Sequence, residues 1–203
     1  MVIQVIGAIC CGIVMLVAVV LHMNYLETNV WWFLVLEPVL IVIAMGGCLM
    51  MSVRQKGTIV SFLAVGMFML TLIATGTVTK QAFDCGKHIT EARTTAINQW
   101  AVDAWNANVP TAMKVGKVSY CSYPDRVGAA AIVILRHYGN ATIGYFELNL
   151  LLYAFLFPGI AFLFAVLWRR KLFDVANYAT IVICTGTLPI TWYLYTTIPR
   201  INF

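Results

Sequence analysis

TKQAFDCGKHITEARTTAINQWAVDAWNANVPTAMKVGKVSYCSYPDRVGAAAIVILRHYGNATIGY, residues 79–145, is the polar segment of an otherwise apolar chain. It holds most of the charged side chains, although only 10% of all residues are charged and 62% are apolar. An ordinary soluble domain contains about 25% charged residues. The composition therefore predicts an integral membrane protein that is interrupted once by a long polar segment.

The apolar sequence on both sides of this segment predicts membrane-spanning helices. A helix needs about 20 apolar residues to cross the hydrocarbon layer, where only its own hydrogen bonds satisfy the backbone. Five windows have that length, at residues 2–23, 30–51, 58–78, 146–168 and 178–198. We therefore expect an all-α integral membrane protein, a bundle of about five transmembrane helices. The first span is expected to be retained, because no basic region precedes it and no small-x-small cleavage site follows it.

The same windows predict three parts of the chain. Residues 1–78 form a three-helix membrane segment, residues 79–145 an extramembrane loop domain of roughly 65 residues, and residues 146–203 a two-helix membrane segment. Within the loop domain, apolar residues recur at helical spacing from Ile89 to Ala104, and Asn-Val-Pro at 108–110 ends the pattern. This predicts an amphipathic helix. The nine apolar residues 127–135 are too few to span, and predict a buried strand or a short helix.

Two kinds of modification are suggested by the loop sequence. Cys85 and Cys121 are the cysteines outside the predicted spans, and they flank the predicted amphipathic helix. In an oxidising compartment a disulfide between them would stabilise the loop by about 3–4 kcal/mol. Asn140 begins an Asn-Ala-Thr triplet, a weak glycosylation candidate because it lies close to the fourth span and such triplets arise by chance.

Glu37 is the only acidic residue well inside a predicted span, and Pro38 after it removes one helix hydrogen bond. A carboxyl group in the membrane is costly, so it suggests a functional group that faces the bundle interior or a wet cavity. The alternative is structural: a protonated carboxyl bonded to a carbonyl that Pro38 frees, or to a Thr or Tyr of another helix. Both hypotheses stay open.

Two further patterns concern helix faces. Thr71, Thr75 and Thr79 share one face of the third span at a spacing of four, where their hydroxyls can bond to their own helix; the alternative is that they line a polar path. Ala8 and Gly12 form a small-xxx-small pair in the first span that would let another helix approach closely. That helix is either part of this chain or part of a second protein.

The basic residues indicate the orientation. Arg54, Lys56 and the three residues 169–171 lie in two short loops, so the positive-inside tendency predicts a cytoplasmic amino end and an extracytoplasmic loop at residues 79–145. The opposite orientation stays open, because the long loop and Arg200 together carry eight basic residues.

No catalytic, cofactor-binding or metal-binding residue is predicted. The spacing of His22, His88 and His137 is not that of metal ligands, and no basic run indicates nucleic acid as a partner. We therefore expect a non-catalytic accessory subunit or scaffold of a larger membrane complex, with the lipid bilayer and other integral membrane proteins, or copies of itself, as partners. One alternative is a channel or transporter component that uses Glu37 and the threonine-lined faces of the third and fifth spans. The other is a membrane thiol–disulfide oxidoreductase, although no Cys-x-x-Cys pair is present.

Overall fold

The computed structural model describes residues 2–23, 25–107, 111, 114, 116, 122–138 and 156–201, and these residues contain helices but no strand. A π-helical turn, Trp32–Leu36, precedes the third helix, and a 3-10 turn, Ile198–Arg200, follows the last one. The α-helices are α1 (Val2–Val20), α2 (Tyr25–Trp31), α3 (Glu37–Gln55), α4 (Ile59–His88), α5 (Glu91–Asn106), α6 (Tyr123–Tyr138), α7 (Phe157–Arg169) and α8 (Phe173–Thr197).

Three continuous helical segments are long and apolar enough to cross a membrane: Glu27–Gln55, Ile59–His88 and Phe173–Arg200. They correspond to the second, third and fifth predicted spans, and they are compatible with a multi-pass integral membrane protein. Two apolar helices, Ile9–Val20 and Phe157–Arg169, are shorter than a span. The first half of the predicted fourth span lies outside the described residues. The count of five spans is therefore not confirmed.

The chain separates into two compact units. Unit 1 comprises the described residues of 1–35, 82–156 and 201, and unit 2 comprises 36–81 and 157–200. One of the points at which the chain passes between the units lies inside α4, between Gln81 and Ala82. Each unit has its own core.

In unit 2, α3 packs against α7 and α8, and α7 packs against α8. Small residues face the interior, which lets the helices approach closely. At Gly47 of α3 an added Cβ would overlap the indole ring of Trp168 in α7, so the missing side chain lets the ring lie directly against α3. The buried apolar core consists of Met45, Cys48, Leu49, Ala64, Phe68, Phe164, Leu167, Ala176 and Cys184.

In unit 1, α1 packs on α2, and both α2 and α5 pack on α6. Ile89, Ile97 and Ala129 form a small core. The guanidinium of Arg136 lies 4.5 Å from the ring centroid of Trp100, a cation–π contact between α6 and α5. The helix predicted from Ile89 to Ala104 is observed as α5, which begins two residues later, at Glu91.

Residues 127–135 belong to α6 and are helical, which resolves the choice between strand and helix. Ser122 starts the helix: its backbone N–H and hydroxyl donate to Oδ2 of Asp125 at 2.8 and 2.9 Å, while the Asp125 N–H donates to the Ser122 hydroxyl at 3.4 Å. This reciprocal cap satisfies N–H groups that a helix start leaves open. Three consecutive alanines, the strongest helix former, follow at residues 129–131.

The π-helical turn before α3 has a cause in the sequence. Proline has no backbone N–H, so Pro38 cannot donate to the carbonyl of Leu34, which lies in that turn. The helix is thereby wider immediately before Glu37. π-helical turns of this kind occur frequently at functional sites.

Candidate functional site

A buried cluster of uncharged polar side chains joins three helices at one end of unit 2. Ser52 ends the buried face of α3, Ser61 lies in the first turn of α4, and Asn177 lies in the second turn of α8. The Asn177 Nδ2 donates to Ser52 Oγ at 2.8 Å and to Ser61 Oγ at 3.1 Å, and the two serine oxygens are 3.0 Å apart. We call Ser52, Ser61 and Asn177 the polar triad.

The turn between α3 and α4 brings the two serines together. Gly57 has a φ of 55°, a left-handed conformation that glycine adopts without strain, and it reverses the chain after α3. Thr58 then caps α4, because its Oγ1 accepts from the backbone N–H of Ser61 at 3.2 Å. The Thr58 and Ser61 hydroxyl oxygens are also 2.9 Å apart. The turn therefore extends the hydrogen-bond network by one residue.

The chemistry of the polar triad is that of hydrogen bonding between helices. Asn177 is 1 % exposed, and both serines are fully buried. None of the three side chains titrates in the physiological range, so the triad offers neither a general acid nor a general base. Within the described part of the chain the Asn177 Oδ1 has no hydrogen-bond donor, which makes Asn177 the member that is incompletely satisfied.

Glu37 lies at the other end of α3, fifteen residues before Ser52, which corresponds to about 22 Å along a helix. The side chain is 6 % exposed and lies within the candidate span Glu27–Gln55. The structure therefore separates the predicted intramembrane carboxyl group from the polar triad. The triad is not evident from the sequence, because serine and asparagine are common near the ends of spans. The available signal was that each of the three lies near the end of a long apolar helix.

The threonines of α4 bond to their own helix, which confirms that interpretation for two of the three. Thr71 Oγ1 donates to the Met67 carbonyl, and Thr75 Oγ1 donates to the Thr71 carbonyl, each at 2.8 Å. In α8, Thr180 does the same to Ala176 at 2.8 Å. These hydroxyls are thus satisfied inside the apolar helices.

The predicted disulfide is not supported. Cys85 is a free thiol in α4, and Cys121 lies outside the described residues. No disulfide joins the cysteines that the structure describes, and one of them, Cys48, donates to the Phe164 carbonyl in α7 at 3.2 Å. Buried thiols of this kind act as small apolar groups with a weak donor.

The remaining predicted residues lie at the margins of the described structure. Gly12 is half-buried in α1, whereas the Ala8 side chain and all of Asn140 lie outside what the structure describes. Within the described part of the chain, no group of three or more His, Cys, Asp and Glu side chains could hold a metal ion.

No protein-family model, curated protein or solved structure matches this chain.

Proposed function

We propose that the chain is a non-catalytic, multi-pass membrane protein that acts as an accessory subunit or scaffold of a larger membrane complex. The observation that carries this proposal is the polar triad. Its two hydrogen bonds between helices, at 2.8 and 3.1 Å, join Asn177 of α8 to Ser52 of α3 and Ser61 of α4. The buried polar groups at this end of unit 2 therefore hold helices together. The threonines of α4 and α8 likewise bond to their own helices. Polar groups used in this way support an architectural role.

The outward faces of the helices supply the surface that such a role needs. On α8, Val182, Ile190 and Trp192 are exposed, on the side away from buried Thr180 and Cys184. In a membrane these side chains contact lipid or other apolar helices, because no water is available there. We further propose five spans, with the predicted first and fourth as the additional ones, a cytoplasmic amino end and an extracytoplasmic loop domain at residues 79–145.

The test is the native mass of the full chain after extraction in a mild detergent, with mass spectrometry of the proteins that accompany it. A stoichiometric assembly with other membrane proteins is the expected result. Recovery of the chain alone, at every detergent concentration that keeps it folded, would refute the accessory role.

A pair of variants tests whether the small-residue face of α1 takes part in assembly. Gly12→Leu places a large side chain on the small-residue face of α1 and should reduce recovery of the partners at least tenfold. Gly66→Leu in α4 is the matched control, because nothing lies within 4 Å of a Cβ at Gly66. Equal recovery of partners from both variants would remove α1 from the interface.

Transport is the second candidate, and the observation that favours it is Glu37, which is buried in a candidate span directly after the π-helical turn. If Glu37 carries protons across the membrane, Glu37→Gln in proteoliposomes should abolish proton flux, measured with an enclosed pH-sensitive dye. Glu27→Gln, ten residues earlier and at the start of the same apolar segment, is the control. Flux that is unchanged in Glu37→Gln would defeat this candidate.

A further inference from the structure

Five basic side chains meet at one end of unit 2, and we call them the basic cluster: Arg54, Lys56, Arg169, Arg170 and Lys171. They belong to two separate turns of the chain, the one between α3 and α4 and the one between α7 and α8. All five are exposed. Binding of a ligand by these side chains does not depend on the accessory role.

Three contacts hold the two turns at the same end of unit 2. Lys56 forms an ion pair with Asp174 in the first turn of α8. Asn177, one turn further along α8, donates to Ser52 in the last turn of α3 at 2.8 Å. The third contact is the packing of α7 on α3. The cluster is therefore fixed by a buried hydrogen bond and by helix packing as well as by a surface ion pair, which alone would contribute little.

The charge of this end is strongly unbalanced. Unit 2 contains two acidic residues, Glu37 and Asp174, and only Asp174 lies beside the basic cluster. The α8 helix also begins here, without a side-chain hydrogen bond at its N-cap residue Leu172. A helix start carries a partial positive charge and points backbone N–H groups outward. Both features add to the attraction for an anion.

The chain conformation presents the cluster outward. Lys171 has a φ of 56°, and the N–H of Leu172 donates to the Leu167 carbonyl at 2.9 Å, a Schellman closure of α7. This closure leads directly into α8 at Phe173 and leaves residues 169–171 on the outside of a tight turn. Trp168 and Tyr178, which flank the turn, are 42 % and 60 % exposed, as expected of aromatic residues at a membrane surface.

We propose that the basic cluster binds the phosphate of an anionic phospholipid headgroup in the leaflet that this end of unit 2 faces. Arginine and lysine side chains donate several charged hydrogen bonds to phosphate oxygens. Basic sites between membrane helices bind such headgroups, and each Lys or Arg near the surface contributes about 1 kcal/mol, roughly a fivefold change in affinity. The apolar faces of α3 and α8 below the cluster accommodate acyl chains, which a free phosphate does not have.

The experiment is a native mass spectrometry titration of the full chain in mild detergent with phosphatidylglycerol, with phosphatidylcholine, and with inorganic phosphate. Phosphatidylglycerol should bind at least tenfold more tightly than phosphatidylcholine. Replacing Arg169, Arg170 and Lys171 together by glutamine should remove that preference. The control replaces Lys80 and Arg200 by glutamine. Along α4, Lys80 lies about 30 Å from Ser61, which is at the end of the helix beside the basic cluster. Arg200 follows the opposite end of α8.

The outcomes separate the alternatives. Equal binding of the two lipids, or an undiminished preference in the triple variant, overturns the proposal. Inorganic phosphate that displaces phosphatidylglycerol at equal concentration also overturns it, because the site would then recognise a free anion. If the triple variant loses helical content, the wild type provides the test. Its preference for phosphatidylglycerol should fall steeply as sodium chloride rises from about 0.05 to 0.5 M, because salt screens charges over progressively shorter distances in this range. A preference that ignores salt refutes an electrostatic site.

Discussion

Gly86 is the position at which a single methyl group tests the packing of unit 1. It lies in α4 and faces α6, where a Cβ would stand 2.6 Å from Cγ2 of Val127, 2.9 Å from its Cα and 3.0 Å from its N. Carbon atoms in contact normally stay about 3.5–4.0 Å apart. Two of these three atoms are backbone atoms, so a rotamer change of Val127 cannot relieve the overlap. Gly86→Ala must therefore push α4 and α6 apart.

The magnitude follows from two opposing terms. Alanine in place of glycine stabilises a helix by about 1 kcal/mol, and overpacking costs about 1–3 kcal/mol. The net effect of Gly86→Ala is then a loss of about 0–2 kcal/mol. Gly76 lies in the same helix with nothing within 4 Å of its Cβ position, so Gly76→Ala receives only the gain. We expect the two variants to differ by about 1–3 kcal/mol.

The assay is unfolding of each variant by sodium dodecyl sulfate in mixed micelles, followed by far-ultraviolet circular dichroism. A difference below about 0.5 kcal/mol, the usual limit of additivity for independent sites, would refute the close approach of α4 and α6. Adding Val127→Ala to Gly86→Ala should restore only part of the loss, because the Cα and N contacts remain. Complete restoration would show that the side chain alone causes the overlap.

Two further predictions concern unit 2. Gly47→Ala should lower stability by about 1–3 kcal/mol relative to Gly46→Ala. The reason is that a Cβ at Gly47 overlaps the Trp168 ring, whereas a Cβ at Gly46 is 3.7 Å from the nearest atom. The same unfolding assay measures the difference, and adding Trp168→Ala to both variants should remove it. Asn177→Ala and Ser52→Ala should show a coupling of about 0.6 kcal/mol, and at most about 1.7 kcal/mol, in a double-mutant cycle. Strict additivity would mean that their 2.8 Å contact contributes nothing.

The sequence predicted the elements whose signal is long and periodic. The three candidate spans and α5 follow from apolar length and helical spacing, which depend on many residues at once. For residues 127–135 the period alone could not separate helix from strand, because short apolar runs fit both. The cap formed by Ser122 and Asp125 decides for helix, and its Ser-x-x-Asp spacing was visible in the sequence.

The features that depend on contacts between distant residues could not be predicted in this way. The polar triad joins Asn177 to residues 116 and 125 positions earlier in the chain. The close contacts at Gly47 and Gly86 arise from Trp168 in α7 and from Val127 in α6. Nothing within a local window shows which residues meet. Glu37 is buried, and whether it has a function stays a prediction. The π-helical turn before it was missed, although Pro38 was its signal.

Along the inner face of α8, the polar side chains pass from charged to uncharged and then to self-bonded within the helix. This order has a physical reason. Asp174 is charged and about half exposed, Asn177 is uncharged and bonded to other helices, and Thr180 is bonded only to its own helix. Cys184, one turn deeper, is buried in the apolar core. A polar group without a hydrogen-bond partner costs more free energy where less water is available. Each of these residues further along α8 therefore needs fewer hydrogen bonds from outside its own helix than the one before it. This order is the one expected if the first turn of α8 faces water, and it agrees with the headgroup site that we propose for the basic cluster beside that turn.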